Sequence, residues 1–180
     1  GDCGGNSGIT FTTPATQTWS GTSGGSWSAN AWTSRVPLPQ DDVVINQAFS
    51  AQTITADIAH LGKSLDFTGS TGITFTFSGV NPLNYGSLVL ASGMIFGPGA
   101  GNSFNFRGRS PSSITSNGVS FACLFVVSVI GSTLSLSDNF SCSFADGLQN
   151  SMLNGSFDTQ NYTITANSGI SIADSFTMLY

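Results

Sequence analysis

Apolar residues recur at every second position along this chain, in short runs separated by turn-forming residues. Val43-Val44-Ile45, Thr53-Ile54-Thr55, Leu65-Asp66-Phe67, Ile73-Thr74-Phe75-Thr76-Phe77, Leu88-Val89-Leu90 and Phe104-Asn105-Phe106 are the clearest in the first half. Thr133-Leu134-Ser135-Leu136, Phe140-Ser141-Cys142-Ser143-Phe144, Tyr162-Thr163-Ile164-Thr165 and Ile170-Ser171-Ile172 continue the pattern. A period of two puts alternate side chains on opposite faces of a strand, so each run predicts a short β-strand with one buried face. Val119 to Val129 is more continuously apolar. The separators Gly69-Ser70-Thr71-Gly72, Gly79-Val80-Asn81-Pro82, Gly97-Pro98-Gly99 and Asn117-Gly118 combine residues that tolerate positive φ with residues that preset it. No stretch keeps a helical period for more than about two turns.

Many short strands with frequent turns fit either a β-sandwich or a β-solenoid, in which successive coils stack and bury one inward side. The tetrads starting at Ser64, Ser87, Ser103 and Thr133 resemble one another and favour stacked coils, although their spacing is irregular. Composition points the same way. Only 7% of residues are charged, with four Lys and Arg against nine Asp and no Glu, where an ordinary domain carries about 25%. Stacked coils place like residues about 4.8 Å apart. Charge ladders are penalised at that distance, while Ser, Thr and Asn can hydrogen-bond. The scarcity of Glu and Lys argues against a helical bundle. A net charge of -5 argues against nucleic-acid binding. No apolar run is long enough for a membrane span. The expected architecture is all-β: a β-solenoid, specifically a right-handed parallel β-helix, with an N-terminal aromatic cap.

Residues 1–40 differ in texture from 41–180. They are rich in Gly, Ser and Thr, hold Trp19, Trp27 and Trp32, and close on Pro37 and Pro39. They are expected to form a cap and arm, with the solenoid occupying 41–180. Trp19-Ser20-Gly21, Ser26-Trp27-Ser28, Trp32 and Val36-Pro37-Leu38-Pro39-Gln40-Asp41-Asp42-Val43-Val44-Ile45 form a recognisable sequence. It resembles the start signature of secreted and virion right-handed parallel β-helix proteins, such as phage tail proteins and autotransporter-like adhesins. That resemblance implies the fold and an extracellular or virion setting. It implies no particular site. The chain starts at Gly1, which suggests a removed leader or upstream region or a fragment of a longer protein, and the apolar run Phe176-Thr177-Met178-Leu179-Tyr180 is expected to be covered by more chain or by a partner.

Candidate chemistry is sparse. Glycoside hydrolysis commonly needs two carboxylates facing each other across a sugar. Asp41 and Asp42 are adjacent and point to opposite sides of a strand. Asp57, Asp66, Asp138, Asp146, Asp158 and Asp174 sit among Ser, Gly and Asn, where Asp usually serves a turn. The single His60 has no nucleophile-elbow serine to serve. Three cysteines cannot all pair; Cys123 and Cys142 read as buried thiols or as a disulfide, and Cys3 is left alone. No metal or cofactor motif is present. Three Thr-x-Thr motifs (53–55, 74–76 and 163–165) could present paired hydroxyls, as ice-binding faces do, but their spacing is too irregular to predict an array.

The expected function is structural and adhesive, not enzymatic: a virion or tail-fibre component, or a subunit of an extracellular appendage. The expected partners are other copies of the chain and a cell-surface glycan or receptor. Trp19, Trp27, Trp32, Arg107 and Arg109 are the candidate contacts, the Trp residues by stacking on sugars. Phe176, Met178, Leu179 and Tyr180 are the candidate assembly end. A polysaccharide-cleaving β-helix enzyme is the alternative, and a purely glycan- or ice-binding module the second.

Overall fold

The structure, a computed structural model, describes residues 12–29, 31–77, 79–97, 102–142, 150–167, 170–172 and 176–180, with the backbone alone described at 150–153, 170–172 and 176. Cys3, Asp146 and Asp174 lie outside the described residues. The first coil contributes β1 (Thr16–Thr18) and β2 (Gly25–Ser26). Each later coil visits three faces in turn. The second holds β3 (Asp42–Val44), β4 (Ala48–Ala56) and β5 (His60–Gly62), and the third β6 (Leu65–Asp66), β7 (Thr71–Phe77) and β8 (Leu83–Asn84). Then come β9 (Leu88–Val89), β10 (Ile95–Phe96) and β11 (Ser103–Phe106), followed by β12 (Ser112–Thr115), β13 (Ser120–Phe121) and β14 (Leu124–Leu136). The last coils contain β15 (Phe140–Cys142), β16 (Asn150–Asp158), β17 (Ile164–Ala166), β18 (Ile170–Ile172) and β19 (Phe176–Leu179).

Every pairing between these strands is parallel, and the whole is a parallel β-solenoid of about six turns. The first face stacks β1, β3, β6, β9, β12 and the later halves of β14 and β16, then β19. The second face is the seven-stranded sheet β2-β4-β7-β10-β13-β15-β17. The third stacks β5, β8, β11, the earlier halves of β14 and β16, and β18. β14 and β16 each run through the corner between the third and first faces, joining them into one sheet.

The alternation seen in the sequence becomes columns in the core. Leu65 pairs with Val43 and Leu88, Leu88 with Ile114, and Ile114 with Leu136, all with side chains inside. On the second face Ile54, Phe75, Phe96, Phe121 and Cys142 form one register column. Phe96 and Phe121 have ring centroids 4.5 Å apart, and Phe121 and Phe140 4.8 Å. Burying each such ring contributes roughly 1.5–3 kcal/mol, and the edge-to-face arrangements add to it. Hydroxyl ladders appear on the outside, as between Ser120 Oγ and Ser141 Oγ at 3.1 Å.

The tetrads are only partly true repeats. Those at Ser64 and Ser87 stack in register, but Ser103–Phe106 lies on the third face and belongs to another column. The described part of 1–40 continues the stack: β1 pairs with β3 and β2 with β4. It is locked on by Asp41. This buried carboxylate accepts from Arg35 Nη2 at 2.7 Å and from the backbone N–H groups of Ala15 and Leu38 at 2.9 Å each. Trp19, Trp27 and Trp32 cluster edge to face in the same region, and Trp27 also packs against Phe75. Cys123 and Cys142 are buried in the core and form no disulfide with each other, and burial pushes the Cys123 thiol far above its ordinary pKa.

Candidate functional site

The Trp residues do not form a sugar platform. Trp19, Trp27 and Trp32 are 1%, 0% and 7% exposed, and their faces are spent on one another and on the core. Trp32 Nε1 donates to the Trp27 carbonyl at 2.8 Å, fixing the cluster from inside. Large aromatics at this point of the sequence are core-forming because the first coil has little other apolar material.

Arg107 and Arg109 lie elsewhere, at the corner between the third and first faces. Register places Lys63, Tyr85, Arg107 and Ser128 on successive rungs there, one after each of the matched residues Gly62, Asn84, Phe106 and Val127. The corner also changes length after Arg107. The chain takes five residues from Leu83 to Leu88, but nine from the register-equivalent Asn105 to Ile114. Arg107 keeps the register of Tyr85, and the four extra residues fall within the loop between it and Ser113, which carries Gly108 and Arg109. Gly108 lies directly against the rung below, where a Cβ would come within 2.5 Å of the Tyr85 carbonyl oxygen. Gly86 likewise leaves no room for a Cβ above the Lys63 carbonyl oxygen, at 2.8 Å. Glycine is required at both positions for close approach of backbones.

Three depressions run along this corner. One, of about 470 Å³, is lined by Asp42, Lys63, Ser64, Tyr85, Ser110 and neighbouring residues. The next, of about 370 Å³, is lined by Leu83, Tyr85, Arg107, Arg109, Ser128 and Ile130. The third, of about 430 Å³, is lined by neutral residues from Ile130 to Thr133, Asn154 to Ser156, and Thr177. Tyr85 lines the first two and Ile130 the last two, so adjacent depressions share a wall. From Lys63 to Thr177 they cover five rung spacings, about 24 Å.

His60 and Tyr85 sit together at this corner, with Nδ1 and the phenol oxygen 2.6 Å apart and the rings nearly parallel. Partial burial pushes the Tyr85 phenol above its usual pKa against the pull of the Arg107 guanidinium, so it stays a neutral O–H. Lys63 stands 3.9 Å from Asp42, a solvent-exposed pair of little energetic weight. Arg107 and Arg109 make no ion pair with a carboxylate among the described residues.

The carboxylates among the described residues are occupied structurally. Asp66 and Asp158 accept from the backbone N–H two residues on, as turn residues do. Asp138 accepts from Ser116 and Asn117 of the preceding coil. Partial desolvation would raise the Asp57 pKa, but the Ser28 hydroxyl and backbone N–H donate to the carboxylate and hold it below the usual range. Asp42 is the one carboxylate lining the three depressions. No group of three His, Cys, Asp or Glu among the described residues is placed to hold a metal ion. Among the described residues no helix is long and apolar enough to cross a membrane.

The Thr-x-Thr motifs come closer together than their spacing suggested. Thr53 pairs with Thr74 and Thr55 with Thr76, and Thr165 lies in the same outward column as Thr53, through Ile95, Ser120 and Ser141. At the apolar end, β19 pairs with β16. Met178 is half-buried, and Leu179 and Tyr180 are exposed. The Phe176 side chain lies outside the described residues.

His60, Lys63 and Ile130 were not among the sequence-based contact candidates. Their signal was the coil period: Lys63, Tyr85 and Arg107 follow one another at 22 residues. Compared with known proteins, the chain matches no family model, no curated protein and no solved structure.

Proposed function

We propose that this chain is a non-enzymatic, structural and adhesive β-solenoid of a virion, tail fibre or extracellular appendage, and that it grips a glycan or glycosylated receptor along the corner between its third and first faces. The Trp cluster serves as the cap of the N-terminal end, and the β19 end as the surface for further copies. One observation carries the adhesive reading: three shallow depressions share walls at Tyr85 and Ile130 and so offer a continuous track along a rigid rod. A track of this shape suits an extended ligand. Its lining of hydroxyls, one aromatic ring and guanidinium groups suits saccharide recognition.

A chain-cleaving enzyme would need opposed carboxylates across such a track, and the lining residues do not favour that reading. The test is retention of the full chain on an array of neutral and acidic glycans, with sedimentation measured in parallel. Retention on at least one glycan class and a species larger than one chain are expected. No retention on any glycan overturns the adhesive part, and a stable monomer at every concentration overturns the assembly part.

A further inference from the structure

We infer that the middle depression of the corner is a subsite for an acidic sugar, with Arg107 and Arg109 taking its carboxylate or sulfate while the rest of a linear saccharide lies along the stack on either side. This inference rests on the adhesive reading above and adds the ligand's chemical class.

The charge distribution along the track is the argument. The chain carries a net charge of -5 and only four Lys and Arg. Arg35 is committed to Asp41. The other three, Lys63, Arg107 and Arg109, all line this corner. In the first depression Lys63 is offset by Asp42. In the middle depression two guanidinium groups face four uncharged residues and no acid. The third depression holds no charge. A ligand that fits this sequence of surfaces has one concentrated negative group flanked by neutral, hydroxyl-bearing units. Guanidinium groups match planar carboxylate and tetrahedral sulfate geometry and bind them through charge-assisted hydrogen bonds.

Placement supports the same class. The Arg loop is an insertion relative to the two coils below it, and Gly108 seats it on the Tyr85 backbone. The two arginines are thereby held beside an aromatic ring that is itself oriented by His60. Ser64, Ser87 and Ser110 on one side and Thr133, Asn154 and Ser156 on the other supply neutral donors and acceptors for sugar hydroxyls. A sugar unit is close in length to one rung, so successive sugars meet successive coils. Nucleic acid is a poor fit, because a phosphate on every unit needs cations along the whole track, and Asp42 stands in its path.

The experiment is calorimetric titration of the full chain with a carboxylated oligogalacturonate, a sulfated heparin oligosaccharide and a neutral dextran oligomer. At least one acidic oligomer should bind, more weakly as salt is added, and dextran should not. Arg107→Gln with Arg109→Gln should weaken that binding by about tenfold or more, as loss of charge-assisted hydrogen bonds requires, with no change in the urea midpoint. Tyr85→Ala should weaken it too, and Tyr85→Phe less. Failure of both acidic oligomers to bind overturns the inference, as does equal binding of dextran or an unaffected double variant. Glycan-array retention confined to neutral glycans overturns the inference and leaves the adhesive reading standing, whereas no retention on any glycan overturns both.

Discussion

The second face and the corner between the third and first faces are built by the same coils and differ in almost every surface property. None of the seven strands of the second face contains a charged residue, and its outward column runs Thr53, Thr74, Ile95, Ser120, Ser141, Thr165. The corner gathers three of the four Lys and Arg, the His60–Tyr85 pair and three depressions. The difference follows from the physics of stacking. A face must keep its register from coil to coil, because a one-residue slip would turn its inward column outward. A corner has no such requirement. It can gain four residues between Arg107 and Ser113 without disturbing the columns beside it. Faces therefore supply stability, and corners are free to hold a site.

The largest effects should come from breaking a face from within. Phe121 is fully buried and packs on Phe96, Phe104, Phe125 and Phe140. Phe121→Ala should cost about 3–5 kcal/mol through lost transfer and the cavity left behind, measured by urea denaturation. Ile95→Thr, on the outside of the same face, should stay within about 0.5 kcal/mol. If the two cost the same, the columns do not carry the stability.

A smaller effect is expected at the corner. Gly108→Ala puts a methyl group within 2.5 Å of the Tyr85 carbonyl oxygen, so the Arg loop must lift away from the rung below. The loop has few buried contacts to lose, and a cost of about 1–2 kcal/mol is expected from strain of this kind. Saccharide binding should fall at the same time, because both arginines move. Full stability with binding intact would show that the loop is not seated as described.

How far the sequence revealed this contrast depends on the range of the contacts. Alternation at Ile73–Phe77 and the turn signals marked strands, because both are local. The low charge pointed to stacking, because it reflects a constraint repeated on every coil. Which runs stack was hidden, because coil steps vary between 22 residues (Val43 to Leu65) and 26 (Leu88 to Ile114) within one column. That variation also placed Ser103–Phe106 in the wrong series and concealed that Thr53 and Thr165 share a column. The Trp residues were read both as an N-terminal cap and as candidate sugar contacts, because local sequence does not tell a buried aromatic from an exposed one; all three are buried. Arg107 and Arg109 were legible as an unusual pair. The pairing of His60 with Tyr85 beside them was not, since 25 residues separate two rings that meet only after stacking.

The double variant Arg107→Gln/Arg109→Gln separates the two kinds of surface most directly. Neither arginine pairs with a carboxylate among the described residues. Its stability should lie within about 0.5 kcal/mol of the parent chain, by the same urea measurement that finds the Phe121→Ala loss.

The smallest effect concerns a charge at the margin of the second face. Asp57 follows the last residue of β4 and accepts from the Ser28 hydroxyl at 2.5 Å and the Ser28 backbone N–H at 2.9 Å, tying the first coil to the second. Desolvation opposes ionisation here, but those donors outweigh it and the folded-state pKa is lowered. A carboxyl with a lowered folded pKa contributes stability that is fully present above its unfolded pKa and is lost as pH falls through the folded value. The site is largely open to solvent, so the contribution should be only a few tenths of a kcal/mol. Asp57→Asn should therefore lose that small increment at neutral pH and none in strong acid. The difference between the two urea midpoints should shrink as pH falls through the acidic range. A difference that is constant with pH would show that Asp57 acts there by shape alone and that its charge contributes nothing to holding the first coil on the stack.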